Sequence, residues 1–217
     1  IDRSLPQSAE ELPADYALQN PADYISAVKA LLKDITNNAG VSPEDIISIG
    51  IDFTACTVLP VDKNYKPLCM HPRFRKNPHS WVKLWKHHGA QAEADEINET
   101  ARQRGEIFLD YYGGSSSSEW FFAKAMEVYH KAPEIYEATE LFVEAGDWVI
   151  WALTGEMTTS TCMAGYKAFW NHETGYPKND FFAGMEPGLS GITEKVISDV
   201  RPVGAKAGGL TKEMAAQ

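Results

Sequence analysis

Residues 144–171 constrain this chain more than any other stretch: Glu-Ala-Gly-Asp-Trp-Val-Ile-Trp-Ala-Leu-Thr-Gly-Glu-Met-Thr-Thr-Ser-Thr-Cys-Met-Ala-Gly-Tyr-Lys-Ala-Phe-Trp-Asn. Asp147 is placed to cap a helix by accepting from its first free amides, and Gly155 to end it without Cβ strain. Between them, Trp-Val-Ile-Trp-Ala-Leu is apolar on every side, which predicts a helix buried all round. A rigid helix of this kind holds the segment after it, residues 158–167, which reads as a loop. That loop carries the hydroxyls of Thr158, Thr159, Ser160 and Thr161, the Cys162 thiol and the Lys167 cation. Lys167 stands among Gly165, Tyr166, Ala168, Phe169 and Trp170. It points either outward to water, as lysines usually do, or into a site.

Charge and cysteine usage narrow the function classes. Twenty basic against thirty acidic side chains leave a net charge of −10, which argues against a nucleic-acid or anionic-membrane surface. No run approaches the ~18 apolar residues of a membrane span, and Cys56, Cys69 and Cys162 are odd in number and lack metal-type spacing. A reducing cytoplasm fits this usage. The first residue is Ile1 and the first twenty residues carry no secretory pattern, so the chain reads as a piece of something longer.

Asn20-Pro21-Ala22-Asp23 predicts a helix start, and Tyr24, Ile25, Val28, Leu31, Leu32 and Ile35 follow at helical spacing up to residues 37–40. Residues 46–51, Ile-Ile-Ser-Ile-Gly-Ile, are β-branched and uncharged and read as a buried strand, so helix into strand points to an α/β layer. Residues 57–62 read as a second strand. Ser80 is expected to cap a helix through Trp81, Val82, Leu84, Trp85 and His88, broken at Gly89 and resumed over residues 90–102. His87 and His88 are adjacent, so on a helix they project about 100° apart and make a poor metal pair. Residues 113–118, Gly-Gly-Ser-Ser-Ser-Ser, lack the Gly-Lys-Ser/Thr ending of a phosphate cradle and read as a flexible loop with a cap at Ser118. The stripe Trp120, Phe121, Phe122, Met126, Val128 and Tyr129 predicts a mostly buried helix over residues 119–130, followed by a short helix from Pro133 and another near residues 193–198.

Three motifs carry a family resemblance: Ala-Gly-Tyr-Lys-Ala-Phe-Trp at residues 164–170, Lys83-Leu84-Trp85-Lys86-His87-His88, and the closing Val203-Gly204 with Gly208-Gly209-Leu210-Thr211. Together they resemble the FGGY family of carbohydrate kinases over residues 20–211. The Lys-to-Trp spacing, one residue shorter than the family's general form, is similar to its L-ribulokinase branch. The resemblance implies an α/β fold of the ribonuclease H-like type found in the actin and sugar kinase superfamily. Residues 1–217 would then be an N-terminal sugar-binding domain truncated at both ends, with the ATP-binding domain absent from this chain. It further implies substrate contacts from Ala55, Trp85 and Lys167. No metal ligand is implied, the catalytic aspartate is expected beyond Gln217, and the phosphate-loop strand is expected before Ile1.

The implied reaction is MgATP-dependent phosphorylation of L-ribulose to L-ribulose 5-phosphate in L-arabinose breakdown. Its partner is a small sugar, with neither nucleic acid nor membrane, and with a homodimer as a family expectation. Asp52-Phe53-Thr54 is not the family's Asp-x-Gly-Thr phosphate loop, since the glycine is missing. Residues 52–56 are either sugar-side lining or a plain strand end, and Trp85 is either a pocket wall or core. Two further readings stay open: another sugar or polyol kinase of the family, of xylulokinase or glycerol kinase type, and a non-catalytic sugar-binding or actin-like module.

Overall fold

A computed structural model of the chain describes residues 1, 3–6 and 8–216. A two-residue strand, β1 (Leu18–Gln19), leads into helix α1 (Pro21–Asn38). Asn20 caps α1 as expected, its side chain accepting from the Ala22 amide at 3.2 Å. Tyr24, Ile25 and Val28 pack one face of α1 on the core, whereas Leu31 and Ile35 stay exposed.

Strands β2 (Val58–Val61), β3 (Val82–Lys83) and β4 (Leu141–Glu144) join β1 in an antiparallel sheet of order β1-β3-β2-β4. β2 pairs fully with β4, from Val58↔Glu144 to Val61↔Leu141, but meets β3 only at Val58↔Lys83. Pro60 therefore lies past the end of β3, where its missing N–H removes no ladder bond. Residues 46–51 correct the sequence reading: they form no strand, and Ile47 is 96% exposed. β-Branched residues favour a strand only where a neighbour offers a pleated surface, and the nearby β2 already has β3 and β4 on its two sides.

The helix expected from Ser80 is also absent. The Ser80 hydroxyl donates back to the Phe74 and Asn77 carbonyls, both at 2.8 Å, and Trp81 is extended at φ −92°, ψ 165°, so the chain runs directly into β3. Helix α2 (Gln91–Arg104) starts beyond Gly89 as expected. Helix α3 (Phe121–Lys131) is buried through Val128, with Trp120 rather than Ser118 at its cap position. Helix α4 (Pro133–Ala138) follows. The largest core cluster lies here, with Phe122 and Phe169 stacked at 5.8 Å.

Helix α5 (Ala145–Thr154) follows β4 with no intervening loop, so Glu144 occupies the cap position and Asp147, expected as the cap, is buried inside the first turn. Gly155 ends the helix at φ +79°, as expected. The first half of α5 is enclosed, but Ile150 and Trp151 are only half-buried. Gly146 is needed where Phe53 crosses the helix, since a Cβ there would meet the Phe53 Cβ at 2.8 Å. Residues 158–167 are not a loop. They form β5 (Thr159–Ser160) and helix α6 (Thr161–Lys167), because the Ser160 hydroxyl accepts from the Met163 amide at 3.1 Å. β5 pairs in parallel with β6 (Val200–Arg201). Helix α7 (Asn179–Met185) buries Phe181 and Phe182, the helix near residues 193–198 shrinks to a single turn at Ile192–Glu194, and α8 (Lys212–Ala215) closes the chain.

Candidate functional site

The turn before β2 is held in an unusual backbone state, with Cys56 at φ +64°. That conformation costs a residue with a Cβ roughly 1–2 kcal/mol and persists where its surroundings fix it. Here they do so from two directions. The Glu144 carboxylate, at the end of β4, accepts from the Cys56 and Thr57 amides at 2.9 and 3.0 Å. From α3, the buried Lys124 ammonium donates to the Cys56 carbonyl at 2.6 Å. The same ammonium donates to the Leu84 carbonyl at 2.8 Å and reaches the Trp85 carbonyl at 3.5 Å, so it ties this turn to the segment after β3.

Ala55 lies in that turn, half-buried. Trp85 is 45% exposed, so its indole faces an open surface rather than the core. Lys167 ends α6 with Nζ 4.0 Å from Glu119 Oε2, above the Tyr166 and Trp120 rings at 5.1 and 5.9 Å. His88, three residues past Trp85, approaches the other Glu119 oxygen at 3.5 Å. The segments bearing Ala55, Trp85 and Lys167 thus meet at the N-terminal end of α3 through shared partners, Lys124 and Glu119. Lys167 is partly exposed, with its ammonium over aromatic faces.

Burial sets the protonation of the groups behind this surface. It raises the Glu144 carboxyl, helped by the Asp147 charge and opposed by the Cys56 amide and Lys124, and it lowers Lys124. It also pushes the Asp147 carboxyl up to about 7, against a hydrogen bond with Thr159. Both acids border a small cavity with Phe121, Thr159 and Tyr176. Deeper still, Glu127 accepts from Lys83 and His87, each at 2.8 Å, and from Lys131 at 3.2 Å. His87 Nδ1 accepts from the Ala17 amide, so its proton is on Nε2 and both nitrogens are engaged. His88 instead faces Glu119, so the two histidines share no metal position.

Among the described residues, metal-like spacing is found at Glu96, His130 and Glu186. There His130 is held by Glu93 at 2.9 Å and Glu186 at 3.1 Å, and these carboxylates outweigh burial and raise its pKa, so both ring nitrogens are already engaged by carboxylates. The 113–118 segment does not fit a nucleotide phosphate. Gly113 and Gly114 amides donate to Asp110 and Leu109, Ser116 to the Asn98 side chain, and Glu119 to Ser117. With these donors already paired, no phosphate step can be derived from them.

The sequence reading missed Lys124, Glu127 and Glu144. The available signal was two charges, Lys124 and Glu127, inside the apolar stripe of α3, since charges there are buried only when paired.

Comparison with known proteins decides the family. The description "FGGY family of carbohydrate kinases, N-terminal domain" matches residues 3–217. The chain belongs to this family. It is 51% identical over 217 residues to the ribulokinase of Geobacillus thermodenitrificans, which covers the whole chain and 38% of that protein. It is 50% identical over 216 residues to that of Bacillus licheniformis, covering 99% of the chain and 39% of the relative. The chain therefore spans about two fifths of the length of these relatives. Within the family it is similar to these ribulokinases along its whole length. Among solved structures, a xylulose kinase from Lactobacillus acidophilus superposes over 99% of the chain and 39% of its own, with TM-score 0.70 at 15% identity. A gluconate kinase from the same organism covers 99% of the chain and 38% of its own, with TM-score 0.71 at 16% identity. At these identities the superpositions establish the sugar kinase fold alone. No described helix is long and apolar enough to cross a membrane.

Proposed function

We propose that residues 1–217 form the sugar-binding part of a cytoplasmic, ATP-dependent L-ribulokinase whose ATP-binding domain and catalytic aspartate lie outside this sequence. The observation that carries the reading is about 50% identity along the full chain to relatives named ribulokinase, joined to the convergence of the Ala55, Trp85 and Lys167 segments. In phosphoryl transfer the protein mainly positions groups and offsets charge, so the acceptor side needs hydrogen bonds to hydroxyls and a wall that excludes water. Lys167 supplies a donor, the exposed Trp85 ring a wall, and the small Ala55 side chain leaves room for the sugar. ATP with Mg2+ would supply the phosphoryl group from the missing domain, and domain closure would keep water from accepting it. The test is steady-state kinetics of the full-length parent with MgATP and L-ribulose, xylulose or glycerol. Highest kcat/KM on L-ribulose is expected. Preference for xylulose or glycerol would move the assignment to another kinase of the family, and no turnover of any of them would favour a non-catalytic module.

A further inference from the structure

We infer that Lys124 is a positioning residue for sugar binding, fixing the Ala55–Cys56 turn against the Leu84–Trp85 segment. The inference rests on the proposed function, since it takes those two segments as the walls of the sugar site. Its physical basis is independent of any relative. Lys124 is fully enclosed on α3, between Phe121, Phe122, Ala123, Ala125 and Met126. A lysine is costly in such surroundings unless its donors are used, and an apolar residue would pack there without that cost. Its ammonium bonds are to main-chain oxygens of Cys56 and Leu84, with the Trp85 oxygen at the edge of reach. Removing the ammonium leaves those oxygens facing each other with no donor between them.

Glu144 completes the arrangement. It takes the Cys56 amide while Lys124 takes the Cys56 carbonyl, so both peptide groups of the residue at φ +64° are gripped, one by a buried acceptor and the other by a buried donor. Gripped this way, the turn has a single position, and Ala55 is its neighbour in sequence. A strained residue held by two buried polar side chains next to an open surface is the pattern of a site whose geometry is set in advance. Neither Lys124 nor Glu144 faces the open surface, so both act through the backbone segments they hold.

The experiment uses the full-length enzyme with Lys124→Met and, separately, Glu144→Gln, which keeps the shape and one acceptor. KM for L-ribulose and for ATP and kcat are measured, with folding followed by circular dichroism and thermal melting. For Lys124→Met the expected result is a ribulose KM raised about tenfold or more, with ATP KM within about twofold and kcat changed less than the ribulose KM. A smaller rise of the same sign is expected for Glu144→Gln. A folded Lys124→Met enzyme with wild-type ribulose KM, or with both KM values raised equally, overturns the inference. If Lys124→Met fails to fold, Glu144→Gln decides by the same criterion. A wild type that phosphorylates another sugar instead of L-ribulose defeats the functional reading alone, and the same comparison on that sugar still judges Lys124.

Discussion

Trp85 is 45% exposed, so its indole contributes little to the core and its two readings separate cleanly. Trp85→Ala in the full-length parent is expected to change stability by no more than about 0.5 kcal/mol while weakening sugar binding by about 1 to 3 kcal/mol. Titration calorimetry beside a thermal melt checks both numbers. Unaltered sugar affinity in a protein destabilised by several kcal/mol would return Trp85 to the core. Lys167 calls for a substitution that keeps its stem along the Tyr166 ring and removes its charge. Lys167→Met should lower kcat/KM for ribulose roughly ten- to a hundredfold, the worth of one charged hydrogen bond. Wild-type kinetics in a folded Lys167→Met enzyme would remove the residue from the site. Lys167 entered the candidate site through the family resemblance of residues 164–170, since the residues alone left it facing either water or a ligand. The charge of Lys124 inside an apolar stripe was visible in the sequence, but the partners of Lys124 and Glu144 were not, because they are main-chain carbonyls and amides, which every segment possesses and only the fold selects.

Among the elements, the passage from β4 into α5 places Asp147 within the first turn of the helix rather than at its cap, and this has a pH consequence. Its carboxyl is raised by burial from an ordinary 3.8 to about 7, so between those values the folded chain holds a proton that the unfolded chain has lost. Stability from this group is fully present below about 4 and falls as pH rises toward 7, by an amount on the order of a few kcal/mol. Asp147→Asn mimics the protonated side chain, so its melting temperature should gain on the wild type as pH rises from 4 to 7. Parallel wild-type and Asp147→Asn curves over that range would show Asp147 ionising as it does in water. The misplaced cap follows from reading the helix start off the apolar run, whereas the backbone turned helical as soon as the β4 ladder ended. A strand as short as β3 escapes any period-two pattern, and for that reason residues 81–88 read as a helix. Residues 46–51 failed in the opposite sense: their composition suits a strand, but pairing is a property of neighbours.

For the molecule as a whole, the motifs at residues 83–88 and 164–170 were enough to reach the family, since each joins a side-chain type to a spacing. How the catalytic parts divide between these residues and the rest of the parent is a matter of chemistry, and it yields the last prediction. A general base must lie within hydrogen-bond reach of the sugar hydroxyl it deprotonates. The carboxylates of Glu144 and Asp147 are only 4% and 3% exposed; Glu144 is bonded to the Cys56 and Thr57 amides, and Asp147 is engaged with Thr159. Glu119 is more open, but its two carboxyl oxygens already lie against His88 at 3.5 Å and Lys167 at 4.0 Å. A phosphoryl donor also needs unpaired amides or a cation cluster at its phosphates, and in the glycine-rich 113–118 segment the Gly113, Gly114 and Ser116 amides are bonded to Asp110, Leu109 and Asn98. The purified 217-residue chain should therefore transfer no phosphoryl group from MgATP to L-ribulose in a coupled assay, whereas the full-length parent turns over under the same conditions. Turnover by the isolated chain at a comparable rate would place both the base and the phosphate cradle within these residues and overturn the division proposed here.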